Sequence, residues 1–251
     1  MCVIYFLLIF IYLATLSPNL NMKFLCAIIF ISLLFLNIYA LYFNISWLSI
    51  GCHIGFYVAA CMWFCDKAKK CSLNLYLFLI LIGVSYSLKI FNDLWFFKEI
   101  SLLMQAGAYL ALIVEAVKYF KIKNGGPIMT VYFFSIIGLN VYLMLIHFFE
   151  LVPYFSSSTT YLILGFYYVN LGVLGIIALL YYLNSYSKKS MFFISLVICI
   201  VFADILRDMG VFYFKDISVE VAESIIRMGS ALFVVLFFIT EEKKLQLINF
   251  V

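Results

Sequence analysis

Charge is scarce in this sequence: Asp, Glu, Lys and Arg together make up 11% of the 251 residues, while 67% are apolar. A soluble globular domain carries about 25% charged residues, so this chain cannot clothe a water-exposed surface. Proline is almost absent, and Pro18, Pro127 and Pro153 all fall between apolar blocks. A proline inside a helix removes a hydrogen bond and clashes with the preceding turn, so the apolar blocks read as unbroken helices. Signatures of soluble enzymes are missing as well: there is no G-x-S-x-G, H-E-x-x-H, P-loop or G-x-G-x-x-G. No cofactor is expected. The seven cysteines show no CxxC spacing. Cys61 and Cys65 share a helix face, yet inside an apolar block they read as small hydrophobes, and no metal site is expected.

What the sequence has in abundance is long apolar runs. A bilayer core needs about 20 residues of helix. Eight blocks approach that length, at about 24–43, 48–64, 73–91, 100–120, 129–149, 161–183, 191–207 and 219–239. The expectation is an all-α, polytopic membrane helical bundle of about eight transmembrane helices, forming one membrane domain. Residues 1–21 hold a further apolar stretch ended by Ser17-Pro18-Asn19, either an additional helix or a misassigned start.

Orientation follows from counting cations. Lys23, Lys67, Lys69, Lys70, Lys118, Lys121, Lys123, Lys188, Lys189, Lys243 and Lys244 fall on one side, and Lys89, Lys98, Arg207 and Lys215 on the other. The positive-inside bias places the first group in the cytoplasm, in a bacterial inner membrane or its equivalent. The same placement accounts for the net charge of +4, so no nucleic acid is expected as a partner.

An internal repeat supplies the architecture. Residues 95–101 read W-F-F-K-E-I-S and residues 212–218 read F-Y-F-K-D-I-S. Lys69-Lys70 and Lys188-Lys189 precede the corresponding helices, and Leu36-Asn37-Ile38-Tyr39 resembles Leu139-Asn140-Val141-Tyr142. Two four-helix units, about 22–124 and 128–244, each enter and leave on the same side, so they are parallel repeats. The Gly125-Gly126-Pro127 turn joins them. Ser101 and Ser218 are expected to cap the fourth and eighth helices, and the aromatic triplets before them to sit at the outer interface.

Ionisable groups at membrane depth are costly and mark candidate sites. Asp204, Arg207 and Asp208 share one face at i, i+3, i+4, as do Glu220, Glu223 and Arg227 at i, i+3, i+7. The last two helices form a hairpin, so these faces can meet in its outer half, with His53, Lys89, His147 and Glu150 at similar depth. Glu115 alone belongs to the inner half. The cluster is either an ion-pair network locking the hairpin, with Lys89 snorkelling to headgroups, or a polar chamber with a carboxylate pair as acid and base.

Phe202-Ala203-Asp204, closing an apolar helix before an aromatic connection and a last helix, resembles the second half of the lysoplasmalogenase-like (YhhN-type) membrane family. The helix count and size are similar. The resemblance implies cleavage of a vinyl-ether lipid, with Asp204 and Glu223 activating water and Arg207 or Arg227, with His147 and Asp208 nearby, holding the lipid phosphate. The matching place in the first half carries Tyr86 or Ser87 instead of aspartate, and Tyr109 stands where that family is expected to have a histidine.

Three readings therefore stand. The first is a non-enzymatic membrane sensor, scaffold or subunit whose partners are membrane lipids, another membrane protein or a second copy. The second is the lysoplasmalogen-type hydrolase, and the third a small-solute or proton carrier using Glu223 and Asp204.

Overall fold

The structure, a computed structural model, describes residues 20–64, 72–91, 95–119, 127–151, 158–185, 187–213 and 216–243. Eight α-helices occupy them: α1 Leu20–Tyr42, α2 Ser46–Phe64, α3 Leu73–Lys89, α4 Trp95–Val117, α5 Pro127–Leu151, α6 Ser158–Ser185, α7 Lys188–Asp208 and α8 Ile217–Ile239. A π-helical turn, Met209–Tyr213, extends α7. Among the described residues, four helices are long and apolar enough to cross a membrane: α4, α6, α7 with its π turn, and α8. Shorter apolar segments lie in α1, α2, α3 and α5. The stretch 1–19, the lysines between α2 and α3, Asp93, and Gly125-Gly126 lie outside the described residues.

Helix ends differ from expectation in two places. Ser101 does not cap α4; the helix already starts at Trp95. Ser101 is buried against α3, where its hydroxyl donates to the Ser85 carbonyl at 3.0 Å and Ser85 Oγ donates back to the Ser101 carbonyl at 2.9 Å. A serine in a buried helix face satisfies itself across the interface instead of ending its own helix. Ser218 does not cap α8 either. Asp216 does, accepting from the Ser218 backbone N–H at 2.9 Å. That hydrogen bond, with a lesser one from the Ser218 side chain, holds the exposed Asp216 carboxyl below its usual value of 3.8.

At the start of α7 a capping box forms between Ser187 and Ser190. Lys189, directly before Ser190, points inward. Expected as a cytoplasmic surface charge, Lys189 is 3% exposed and lies 3.8 Å from the Tyr119 ring centroid and 5.3 Å from that of Phe237. Glu115, near that same end, accepts from Asn74 at 2.7 Å and from Lys118 at 2.8 Å.

The closest helix pairs are α7 with α8, α3 with α4, α4 with α6, and α1 with α2; α5 packs chiefly on α6. α6 presents glycines to α5. A Cβ at Gly172 would come within 2.9 Å of Met144 Sδ, and one at Gly165 within 3.3 Å of the Phe148 ring. Small residues are the general means by which helices approach closely in lipid. The core centre is aromatic, with Tyr109, Tyr167, Tyr181, Phe193 and Phe237 all buried. Around it Phe35, Tyr42, Trp47, Ile80, Phe134, Leu162 and Phe202 are exposed, a girdle suited to hydrocarbon and not to water.

Candidate functional site

α7 and α8 carry the charges to one another as their spacing implies. Asp204 is completely buried. Its Oδ1 accepts from Arg227 of α8 at 3.0 Å and lies 3.3 Å from Arg207 Nη1, one turn along α7. Its Oδ2 accepts from the Tyr167 hydroxyl of α6, and from the Tyr109 hydroxyl of α4 at 3.2 Å. Four donors from four helices thus fill both oxygens. A charge taken out of water is tolerated only when paired and hydrogen-bonded in this way.

One turn further along α7, Asp208 repeats the pattern nearer the hairpin end. Its Oδ1 accepts from Arg207 Nε and Nη2, each at 3.1 Å. Its Oδ2 meets the Tyr168 hydroxyl and lies 3.3 Å from His147 Nε2 of α5. Tyr168 lies beside the same imidazole at 3.2 Å. Arg207 therefore joins two carboxylates. Arg227 also joins two, since its Nε donates to Glu223 one turn before it on α8.

The sequence reading brought Asp204, Asp208, Arg207, Glu223 and Arg227 to one hairpin, and the structure places all five together with His147. Asp204 and Glu223, expected as a carboxylate pair, are bridged by Arg227. Exposure grades outward: the side chains of Asp204, Asp208 and Arg227 are 1%, 5% and 6% exposed, those of Glu223, Arg207 and His147 18%, 21% and 22%. The outer three form a rim. Glu220, on the same face of α8 by spacing, is exposed. Glu150 is also exposed and accepts from Tyr213 at 3.2 Å.

Lys89 caps the picture from α3. Its ammonium lies 4.8 Å from the Tyr86 ring centroid, close enough to Arg227, Arg207 and Glu223 to feel each of them. Instead of extending freely to headgroups it rests on an aromatic face. His53 belongs to a different set: buried on α2, it stacks flat on Tyr86 and meets Ser224 of α8 at 3.0 Å.

Sequence reasoning named Tyr109 only as standing where a histidine would be expected, and missed Tyr167 and Tyr168, which complete the cluster with it. Tyr109, Tyr167 and Tyr168 are three of 19 tyrosines, and nothing in their spacing separates a hydroxyl aimed at a carboxylate from one packed as an aromatic. Gln105, which donates to the Tyr109 hydroxyl at 2.8 Å, was missed too. Among the described residues no group of three or more His, Cys, Asp or Glu is placed to hold a metal ion. Compared with family models, curated proteins and solved structures, the chain matches none.

Proposed function

We propose that this is a multi-pass membrane protein whose eight helices all cross the bilayer as two parallel four-helix repeats, with Lys23 and Glu241-Glu242-Lys243-Lys244 on the cytoplasmic side. On this reading the α7–α8 charge cluster is a structural lock, and Arg207 and His147 of its rim meet the phosphates of outer-leaflet lipids. The protein is then a lipid-associated sensor, scaffold or subunit.

One observation carries the assignment of the lock: Asp204 has no exposed surface, and both its oxygens are already held by protein donors. A general acid or base must touch the proton that it transfers. For Asp204 to do so, an arginine or a tyrosine would have to leave it, abandoning a buried charge at a cost of several kcal/mol.

Purified protein in detergent tests this reading. Asp204→Asn should lower the thermal midpoint, and neither wild type nor variant should release aldehyde from a lysoplasmalogen. Aldehyde release by wild type, lost in Asp204→Asn at an unchanged midpoint, would sink the lock in favour of the hydrolase.

That second reading draws on one contact. Tyr109 stands where the lysoplasmalogenase-like pattern is expected to have a histidine, and its hydroxyl donates to Asp204. The position converges on the aspartate as a catalytic partner would, although tyrosine replaces the expected side chain.

A further inference from the structure

A second buried polar set lies where α1, α2, α3 and α8 meet, and the ion-pair lock makes no use of it. Ser49 Oγ of α2 donates to Asn37 Oδ1 of α1 at 2.8 Å. Asn37 Nδ2 donates to Ser224 Oγ of α8. Ser224 Oγ lies 3.0 Å from His53 Nε2 of α2. Direction follows from the donor inventory. Ser224 already accepts from the Asn37 amide, and its own proton can go to the imidazole nitrogen when His53 Nε2 is the unprotonated one. In that arrangement His53 is the Nδ1-protonated tautomer, with Nε2 as the base. Its ring plane is fixed by the Tyr86 ring, 5.3 Å away and tilted by 4°.

These are the parts that acyl transfer requires: a hydroxyl nucleophile within reach of a base, a base held in one orientation, and an amide beside the hydroxyl whose second N–H can reach the oxygen of a bound carbonyl. Depth identifies the acyl compound. Ser224 lies seven residues after Ile217 and His53 seven after Ser46, the first residues of α8 and α2. At 1.5 Å per residue both sit about 10 Å inside their helices, at matching depth. The plentiful esters in an apolar layer belong to its lipids. Lys89, whose ammonium rests on the same Tyr86 ring, makes no ion pair among the described residues, and its charge suits the phosphate of such a lipid.

We propose that Ser224, His53 and Asn37 form an acyl-ester hydrolase site for a glycerophospholipid. The inference rests on the lipid-facing reading above but not on the lock. Ser224 Oγ bonds to the ester carbonyl carbon as its proton passes to His53 Nε2, and Asn37 Nδ2 donates to the oxyanion. The acyl C–O bond breaks, and the imidazolium returns the proton to the leaving alcohol. Water, deprotonated by the same imidazole, attacks the acyl-serine, releases a fatty acid and restores the hydroxyl. The site is closed in this structure, with Ser224 1% exposed. α1 covers it, packing closely on α2 and more lightly on α8, so parting of α1 from α8 opens the route from lipid.

The test uses the full chain in lipid nanodiscs containing phosphatidylglycerol and a fluorophosphonate probe. Peptide mapping of the wild type should find the adduct on Ser224, and fatty acid should be released from the nanodisc lipid. His53→Gln keeps a hydrogen-bond acceptor beside Ser224 but supplies no base. It should label on the order of 10²-fold more slowly at an unchanged thermal midpoint. No adduct on Ser224 of the wild type would overturn the proposal whatever the variants do. Wild-type labelling rates in His53→Gln would overturn the role of the base, and an adduct without fatty-acid release would overturn the lipid ester as substrate. None of these readouts measures aldehyde or the effect of Asp204→Asn, so this proposal and the lock can fail separately.

Discussion

Asp204 and Asp208 are each held by more than one donor, and the tyrosines supply what the arginines do not reach. Tyr109 is the most exposed to test, because its hydroxyl serves Asp204, Tyr167 and Gln105 at once. Gln105 is buried, and its Oε1 has no partner among the described residues. Removing the Tyr109 hydroxyl leaves the Gln105 amide nitrogen unpaired as well. Tyr109→Phe should therefore cost about 1–3 kcal/mol, read by unfolding in a graded denaturing detergent. Adding Gln105→Leu removes the stranded amide and should recover the part of that loss that Gln105 causes, since deleting both partners of a buried hydrogen bond is far cheaper than deleting one; the donor lost to Asp204 stays lost. A double variant no more stable than Tyr109→Phe alone would show that Gln105 is satisfied by some other group. The charged half of this site was legible because Asp204, Arg207 and Asp208 stand out of an apolar run at helical spacing. The neutral half was not, since Tyr109 and Tyr167 reach Asp204 from 95 and 37 residues away, and such contacts leave no local periodicity.

Helix boundaries followed hydropathy and failed where a polar residue had a partner elsewhere. Ser101 looked like a cap because it follows the aromatic triplet expected at the interface, but Glu99, before it, is buried and accepts from Thr160 of α6. The helix continues through both. At α8 the cap is the acid two residues earlier, and its depressed pKa gives a signed prediction. A carboxyl with a lowered folded pKa stabilises above its unfolded value, and that contribution is lost as pH falls through the folded one. Stability lent by Asp216 should thus be full above about pH 4 and fade below it. Asp216→Asn keeps a capping acceptor and should remove this part of the acid dependence, whereas Asp216→Ala should lower the midpoint at neutral pH too. Melting the three proteins from pH 3 to 7 separates these outcomes. The α5–α6 contact is the other element that one residue controls. Gly172→Ala needs only a shift of the flexible Met144 terminus, so its effect should be within about 1 kcal/mol. Gly172→Leu adds a side chain that the α5 backbone must yield to, costing about 1–3 kcal/mol as overpacking does. Because α5 holds His147 beside Asp208, that variant should also make His147 more reactive to diethyl pyrocarbonate. Unchanged His147 reactivity in Gly172→Leu would show that α5 docks without this contact.

At the scale of the whole molecule, the proposal of eight crossings draws on how short the connections are. α1 and α2 are separated by three residues, α3 and α4 by five. Connections of that length force neighbouring helices to run antiparallel and side by side. If α4 crosses, α3 must lie along it, and its 17 residues reach about 25 Å of a hydrocarbon layer about 30 Å thick. α1, α2 and α5 are longer, at 23, 19 and 25 residues, so the shorter apolar segments within them do not limit their reach. The apolar girdle favours the same proposal, because Phe35 of α1, Trp47 of α2, Ile80 of α3 and Phe134 of α5 are all exposed, and a half-immersed bundle would show these side chains to water. The proposed eight crossings would put the turn at Asn44 and the hairpin end at Asp216 on one side, with Glu242 on the other. Glu242 accepts from Tyr181 and Ser185 near the start of α7, which ties the end of α8 to that opposite face. Alkaline phosphatase fused after Asn44 or Asp216 should be active in a bacterial host, and green fluorescent protein fused after Glu242 should fluoresce. A fluorescent fusion at Asn44 together with an active phosphatase at Asp216 would mean that the first half does not cross as the second does. In that case the short helices lie at the membrane surface, and the parallel-repeat architecture fails with them.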